Sequence, residues 1–475
     1  MKLSTYFQGE GLRSRAMRGV AISLGTTVAQ QLIRLGSNLI LTRLLFPEAF
    51  GLMALVQTFM AGLAMFSDIG IGPSIIQNRR GEDPDFLNTA WTIQVGRGVM
   101  LWLGACALAW PAAQFYNEPQ LLSLMPAVGL TALIAGFQTT KTVVANRQLR
   151  LGRQSAISLA TQCIGILVMV VLAWIWPSIW ALVIGSLFSS LLGILAGHLF
   201  MPGVPNRLRW DPSAARALML FGRYIFLSTL AGFVVTQGDR VLMGKLVGFS
   251  DLGVYNIAFF MASFPGMLGD MLASRILFPL YREIRPSESA SSRRRIGRAR
   301  MLLAGAVIGM SGTLAVIGDW LIGLLYDPRY AAAGPMMVIL SVMAFPTALT
   351  KGNSQLLLAE GNSRDFSILI VTQAVLTIVY LLVGFWLLGL FGILLVSGLR
   401  VITVFPLQQI FLSRHNGTDL RRDVVLALVG LAFAALAIWV NWGALRDFVL
   451  ISRATAPSVT DVWTARDVFG GSGGG

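Results

Sequence analysis

Residues 19–42 read GVAISLGTTVAQQLIRLGSNLILT. The stretch is long enough to cross a bilayer, which takes about 20 mainly apolar residues. It is not apolar all round. Ser23, Thr27, Gln30, Gln31, Arg34 and Asn38 recur at three- and four-residue steps. At about 100° per residue these fall on one helical face, while Val, Leu and Ile occupy the other. A helix bathed in lipid has no use for such a stripe, so it is expected to line water or another polar surface.

The rest of the chain has the composition of a membrane protein. Of 475 residues, 55% are hydrophobic and only 12% charged, with a mean hydropathy of +0.70. Soluble proteins carry about 25% charged residues. Spans are expected near 19–42, 50–73, 88–113, 121–145, 155–175, 179–201, 218–246, 252–280, 301–325, 331–358, 366–388, 391–412 and 422–442. Breaks between them are expected at Phe46-Pro47, Asn117-Glu118-Pro119, Trp176-Pro177 and Asp327-Pro328. Arg13, Arg15 and Arg18 precede the first span with no small-residue cleavage pattern after it, so it reads as a retained helix and not a signal peptide. The 443–469 tail has no clear further span and could lie along the interface; Gly470–Gly475, with one serine, reads as an appended linker.

The formal charge is +15. In a soluble domain that excess would suggest nucleic acid; here it follows the rule that cytoplasmic loops accumulate Lys and Arg. Lys2 and Arg13–Arg18, then Arg79 and Arg80, Arg147–Arg153, Arg207–Arg216, Arg293–Arg300 and Arg414–Arg422 fall on one side. That side is expected to be cytoplasmic, N-terminus included. The Arg293–Arg300 cluster reads first as a topology determinant, and second as a site for anionic lipid or a partner. Cys106 and Cys163 lie within apolar runs and read as free thiols. His198 and His415, each beside a helix end, offer no metal-ligand pattern.

An internal offset is visible. Arg43 falls on Lys245, Gly51 on Gly253 and Asp68 on Asp270, all at one spacing. The offset maps the first helix onto the seventh, both starting on the same side, as in parallel repeats. The fold expected is an all-α polytopic membrane bundle of 12–14 transmembrane helices in two pseudo-symmetric six-helix lobes. Residues 1–201 form the first lobe, 202–217 a cytoplasmic linker and 218–415 the second lobe. Residues 416–442 add a further helix, and 443–475 a tail.

Other spans carry polar faces. The second has Gln57, Ala61, Ala64 and Asp68; the seventh has Ser228, Gly232, Thr236 and Asp239, with Arg240 on its flank. The eighth has Asn256, Ser263, Asp270 and Ser274, and the tenth Thr347, Lys351 and Ser354. A cavity between the lobes, lined by helices one, two, seven and eight, is the expected arrangement. Arg34, Arg97, Arg240, Lys351 and Arg400 all fall within spans. Each charge at mid-bilayer costs roughly 2.5–3.5 kcal/mol on insertion scales, so these groups need water, counter-ions or an anionic ligand. The acids set against them are Asp68, Asp239 and Asp270. Structural readings stand beside each: Arg34 as partner of an acid or of helix-end carbonyls, Asp68 and Asp270 as caps or snorkelling groups, Asp239 and Arg240 as a local pair. Neighbours about 100° apart make that last pair poorly aligned.

The patterns Leu41-Thr42-Arg43-Leu44-Leu45 with Phe50-Gly51-Leu52, and Phe66-Ser67-Asp68-Ile69-Gly70-Ile71-Gly72, belong together. So do Gly238-Asp239-Arg240-Val241-Leu242-Met243-Gly244-Lys245 and Leu252-Gly253-Val254-Tyr255-Asn256. With these motifs the chain, over residues 15–415, resembles the polysaccharide-transporter branch of the multidrug/oligosaccharidyl-lipid/polysaccharide exporter superfamily, the Wzx-type flippases. The resemblance implies two lobes around a cationic cavity, alternating access, and an undecaprenyl-pyrophosphate-linked oligosaccharide as substrate. It implies a bacterial inner membrane, with a polysaccharide polymerase and chain-length machinery as partners alongside membrane lipids. Arg34, Arg240 and Lys351 would hold the diphosphate, with Arg97 and Arg400 as further cations. No cofactor is expected beyond a proton or sodium gradient, for which Asp239 is the first candidate carboxylate. A cationic-drug exporter on this fold should have an acidic cavity, whereas basic residues outnumber acids here. A membrane polymerase or glycosyltransferase should show an extramembrane catalytic segment, and the polar stretch at 282–300 is short and basic.

Overall fold

The computed structural model describes residues 12–68, 70–222, 226–284, 289–360, 362–414 and 417–454. Nearly all of it is helix. The first part runs through α1 (Leu12–Leu44), α2 (Pro47–Phe66), α3 (Ile71–Gln77), α4 (Pro84–Tyr116), α5 (Leu121–Gly136) and α6 (Lys141–Arg147). It continues with α7 (Leu151–Ile175), α8 (Ile179–Phe200), α9 (Pro212–Gly222) and α10 (Phe226–Leu246). Then come α11 (Phe249–Leu272), a π turn at Ala273–Leu277, α12 (Phe278–Glu283), α13 (Ala290–Leu325) and α14 (Ala333–Leu349). The last described helices are α15 (Asn353–Ala359), α16 (Ser363–Leu388), α17 (Leu390–Ser413), α18 (Leu420–Val440) and α19 (Trp442–Ala454).

Local chemistry places the ends. Asp83 accepts the Asp85 N–H at 3.0 Å and Pro84 opens α4, where a missing N–H costs nothing. The same helix stops at Asn117, which takes the left-handed conformation (φ 53°) while the Glu118 N–H bonds back to the Ala113 carbonyl. Breaks also occur at Phe46-Pro47, Trp176-Pro177 and Asp327-Pro328. Three expected spans are divided. Residues 50–73 contain α2, a turn and α3. Residues 121–145 are α5 and α6, bent by 61°. Residues 331–358 are interrupted at Thr350–Gly352, where Gly352 has φ 86°.

Among the described residues, ten helical stretches are long and apolar enough to cross a membrane, or eleven counting the bent pair. Trp174, Leu199, Leu302 and Trp439 are 74%, 75%, 75% and 77% exposed. Large apolar groups turned outward at that level mark a lipid-facing surface. The chain is therefore an all-α polytopic membrane bundle. Two long helices, α1 and α10, are absent from that set of ten, and both carry polar faces.

The chain forms two compact units: Met1–Phe233 with Gly248–Gly253, and Val234–Val247 with Val254–Gly475. In unit 1, α4 packs on α5, α7 on α8, and α1 on α7. In unit 2, α13 packs on α14 and α18, and α16 on α17. The start of α11 groups with unit 1 through a reciprocal backbone contact. A methyl on Gly51 would overlap the Phe249 carbonyl, and one on Gly253 would overlap the Pro47 carbonyl. Pro47 and Phe249, like Gly51 and Gly253, stand 202 residues apart, the spacing seen in the sequence.

The 202–211 stretch is strapped along α4. The N–H groups of Arg207, Arg209 and Asp211 donate to Asn88, Thr92 and Thr89 at 2.9, 3.0 and 2.9 Å. Arg80 bridges Asp83 and Asp211 at 2.8 and 3.0 Å. Hydrogen bonds from Ser213, then from Arg80, pull the Asp211 carboxyl down to about 2. A carboxylate lowered on folding adds stability that is present above its unfolded value and lost as pH falls through its folded one.

Two outcomes follow. Gly51→Ala or Gly253→Ala should destabilise the detergent-solubilised protein by about 1–3 kcal/mol, read as a lowered unfolding midpoint, because the clash is with backbone. Hydrogen exchange in the 202–211 strap, corrected for intrinsic rate, should stay slow above the ordinary aspartate value of 3.8 and accelerate as pH falls toward about 2.

Candidate functional site

In unit 2 a polar cluster forms where α10, α11, α16 and α17 meet. Asp239 lies on α10 one helical step from Thr236. One carboxylate oxygen accepts the Tyr255 hydroxyl of α11, and the other accepts the Arg240 N–H at 2.9 Å. The Arg240 guanidinium stands 4.0 Å from Asp239, the poor alignment that helical neighbours impose. It donates instead to the Thr236 carbonyl at 3.2 Å and to Gln237 Oε1 at 3.0 Å, and lies 4.3 Å over the Phe259 ring. From α17, Arg400 donates to the Val235 carbonyl and to Thr377 Oγ1, both at 3.1 Å. Asp239 is within its electrostatic range. One carboxylate thus stands among two guanidinium groups, an arrangement with a surplus positive charge.

A second pair lies on the same unit. Lys351 sits in the break between α14 and α15, so it does not continue one helical face with Thr347 and Ser354 as expected. Its ammonium is 2.6 Å from Asp270 Oδ1 and donates to the Gly266 carbonyl at 3.2 Å. The lysine side chain is 8% exposed and the aspartate 65%. The carboxylate therefore carries a buried cation to an accessible surface.

The other expected residues have more local partners. Arg97 donates to Ser67 Oγ at 3.0 Å and to the Ala64 carbonyl at 2.7 Å, closing the C-terminal turn of α2. Asp68 accepts the Gly70 N–H at 2.9 Å, just past α2. On α1, Gln30 donates to Ser158 of α7 at 2.8 Å, and Gln162 donates to the Gln30 carbonyl at 3.1 Å. Thr27 bonds back to the Ser23 carbonyl. Part of the first stripe is therefore a helix–helix seam. Arg34, Gln57 and Thr236 are exposed; Gln31, Asn38 and Asn256 are half-buried. Ser263 donates to the Phe260 carbonyl. The side chain of Ser228 lies outside the described residues, as does His415.

The sequence reading missed two features. Tyr255, which anchors Asp239, is 2% exposed and gives no periodic signal. A cavity of about 270 Å³ in unit 1 is lined by Gln138, Gln154, Ser158, Thr161, Ser189 and Ser190 among others. Gln154, Ser158 and Thr161 are spaced four and three apart on α7, a stripe that could have revealed it. Among the described residues no cluster of three His, Cys, Asp or Glu could hold a metal, and Cys106 and Cys163 are free thiols.

A helical membrane bundle with cations held inside its units has the makings of a transporter. The chain belongs to a family described as polysaccharide biosynthesis protein, whose model matches residues 40–335. It is similar to the lipopolysaccharide biosynthesis protein WzxC of Escherichia coli, 21% identical over 356 residues, 74% of this chain and 71% of that one. The succinoglycan biosynthesis transport protein ExoT of Rhizobium meliloti is 24% identical over 309 residues, 64% of this chain and 61% of that protein. In fold it resembles the lipid II flippase MurJ in an inward closed conformation, with a TM-score of 0.66 at 11% identity, covering 95% of this chain and all of MurJ. It also resembles an inward-facing MATE-family multidrug transporter, with a TM-score of 0.59 at 16% identity over 82% of this chain and 96% of that one. The chain is a helical membrane protein of this polysaccharide-biosynthesis family.

A double-mutant cycle tests the Asp239 anchor. Tyr255→Phe and Asp239→Asn should show a coupling of about 1–2 kcal/mol in unfolding free energy, and strict additivity would mean the contact contributes nothing.

Proposed function

We propose that this chain is a flippase for undecaprenyl-pyrophosphate-linked oligosaccharide repeat units. It carries them from the cytoplasmic to the periplasmic leaflet of a bacterial inner membrane, by alternating access, for exopolysaccharide, capsule or O-antigen synthesis. The observation that carries the reading is the cationic surplus around Asp239, in a chain whose family concerns polysaccharide biosynthesis. Guanidinium groups bind phosphate oxygens through paired donors, and an ammonium serves as a point charge. On this reading Arg34, Arg240 and Lys351 hold the diphosphate, with Arg97 and Arg400 as further cations. Neutral hydroxyls and amides face the sugar. Asp239 is the coupling or gating carboxylate for a proton or sodium gradient, with Asp68 and Asp270 as secondary acids.

The topology proposed is 12–14 crossings in two pseudo-symmetric lobes, N-terminus cytoplasmic. The polar helices α1 and α10 supply crossings beyond the apolar set, and the glycine contact at a 202-residue spacing supports the repeat. The drug-exporter reading is weaker, because two guanidinium groups against one carboxylate repel a cationic cargo.

The test is complementation of a flippase-deficient strain, with protein level measured in the membrane. Arg34→Gln, Arg240→Gln and Lys351→Gln should each cut polymer output by about tenfold or more at normal abundance, the effect of losing a charge-assisted hydrogen bond. Wild-type output from all three would overturn the diphosphate role. In Asp270→Asn, retained output would mark that acid as a structural partner of Lys351, and lost output would mark it as part of the transport path.

A further inference from the structure

The Arg-rich end of unit 2 hides a second cationic site that the transport reading does not use. Arg300 of α13 is 3% exposed, although it stands in a sequence cluster whose Arg293, Arg294, Arg295 and Arg298 are all exposed. Its guanidinium donates to the Gly417 carbonyl at 2.6 Å and to Asn353 Oδ1. Both acceptors are neutral. Among the described residues no carboxylate lies within ion-pair distance of it. The carboxylates in electrostatic range are Asp423 and Asp419. Asp423 is committed to Arg422 and to Gln409 at 2.9 Å, and Asp419 caps α18 through the Arg422 N–H at 3.2 Å. A buried guanidinium without a counter-charge is among the most costly arrangements a fold can hold.

Around it, donors stand unpartnered. Arg300 Nε, Asn353 Nδ2, Arg422 Nη1 and Tyr281 Oη are all buried and bond to nothing among the described residues. Arg300 and Asn353 touch directly. The Tyr281 hydroxyl sits beside Gly352, 3.3 Å from where a methyl on that residue would lie. Tyr281 and Arg422 lie within electrostatic range of Arg300. Tyr281, Asn353 and Arg422 are 1%, 0% and 5% exposed. Leu277, Leu356 and Leu412 pack in one buried apolar cluster with Tyr281.

We propose that these donors hold a small monovalent inorganic anion of the halide class, as the counter-ion of Arg300. The anion joins α12, α13, α15 and α18 through Tyr281, Arg300, Asn353 and Arg422. It is independent of the substrate reading, since none of its ligands is assigned to transport.

The test uses purified full-length protein in detergent, with thermal unfolding followed as chloride or bromide replaces gluconate at constant ionic strength. The midpoint should rise saturably with either halide. Sulfate, larger and divalent, should give no saturable rise. Arg300→Gln should abolish the halide response. Tyr281→Phe keeps every charge and removes one donor, so it keeps the proposal testable if the arginine variant fails to fold. It should raise the half-saturating halide concentration about fivefold. Absence of a saturable halide response in the wild type, an equal response to sulfate, or an unchanged half-saturation in Tyr281→Phe would overturn the proposal.

Discussion

The desolvation of charge inside an apolar bundle shapes the rest of this molecule. Asp239 and Arg240 share a helix that must also pack against its neighbours, and neither side chain can be left bare. The fold answers by spending donors locally. Tyr255 holds the carboxylate, the Thr236 and Val235 carbonyls take guanidinium protons, and the Phe259 ring covers one cation. Those contacts offset part of a penalty of roughly 2.5–3.5 kcal/mol per charge. They leave a positive surplus, and the proposed anionic substrate rests on that surplus. Lys351 follows the same logic with a different partner, since Asp270 neutralises it while remaining accessible.

The same constraint explains how much of the fold was legible in the sequence. Pro47, Asn117, Pro177 and Pro328 mark real helix ends because a ring or a left-handed residue cannot continue the ladder. The polarity of α1 and α10 was visible as stripes, and it is what keeps both out of the set of apolar crossings. The interruption at Lys351 was not legible. Thr347, Lys351 and Ser354 have helical spacing, and only the left-handed Gly352 reveals that the helix stops between them.

The site was legible in kind more than in partnership. Periodicity picks out a face, yet it does not say which neighbour meets it. The stripe through Gln30 calls for water or another polar surface, and Ser158 of α7 supplies one such surface. Periodicity places Arg97 inside a span and is silent on its donors, which close the end of α2. Arg300 and Arg422 stand in the sequence among loop charges, and both are buried. Each of these depends on tertiary contacts between residues tens or hundreds apart, which one sequence does not encode in any local pattern. Tyr255 is the clearest case, since a tyrosine sixteen residues from an aspartate becomes its anchor only through the α10–α11 turn.

The most direct measurement is transport by the purified protein in proteoliposomes, loaded with a fluorescent, pyrophosphate-linked oligosaccharyl prenol on one leaflet. Quenching from the opposite side reports movement. The account predicts protein-dependent translocation that is competed by unlabelled lipid-linked oligosaccharide and not by a cationic dye. Translocation of the dye with no movement of the pyrophosphate-linked lipid would contradict it.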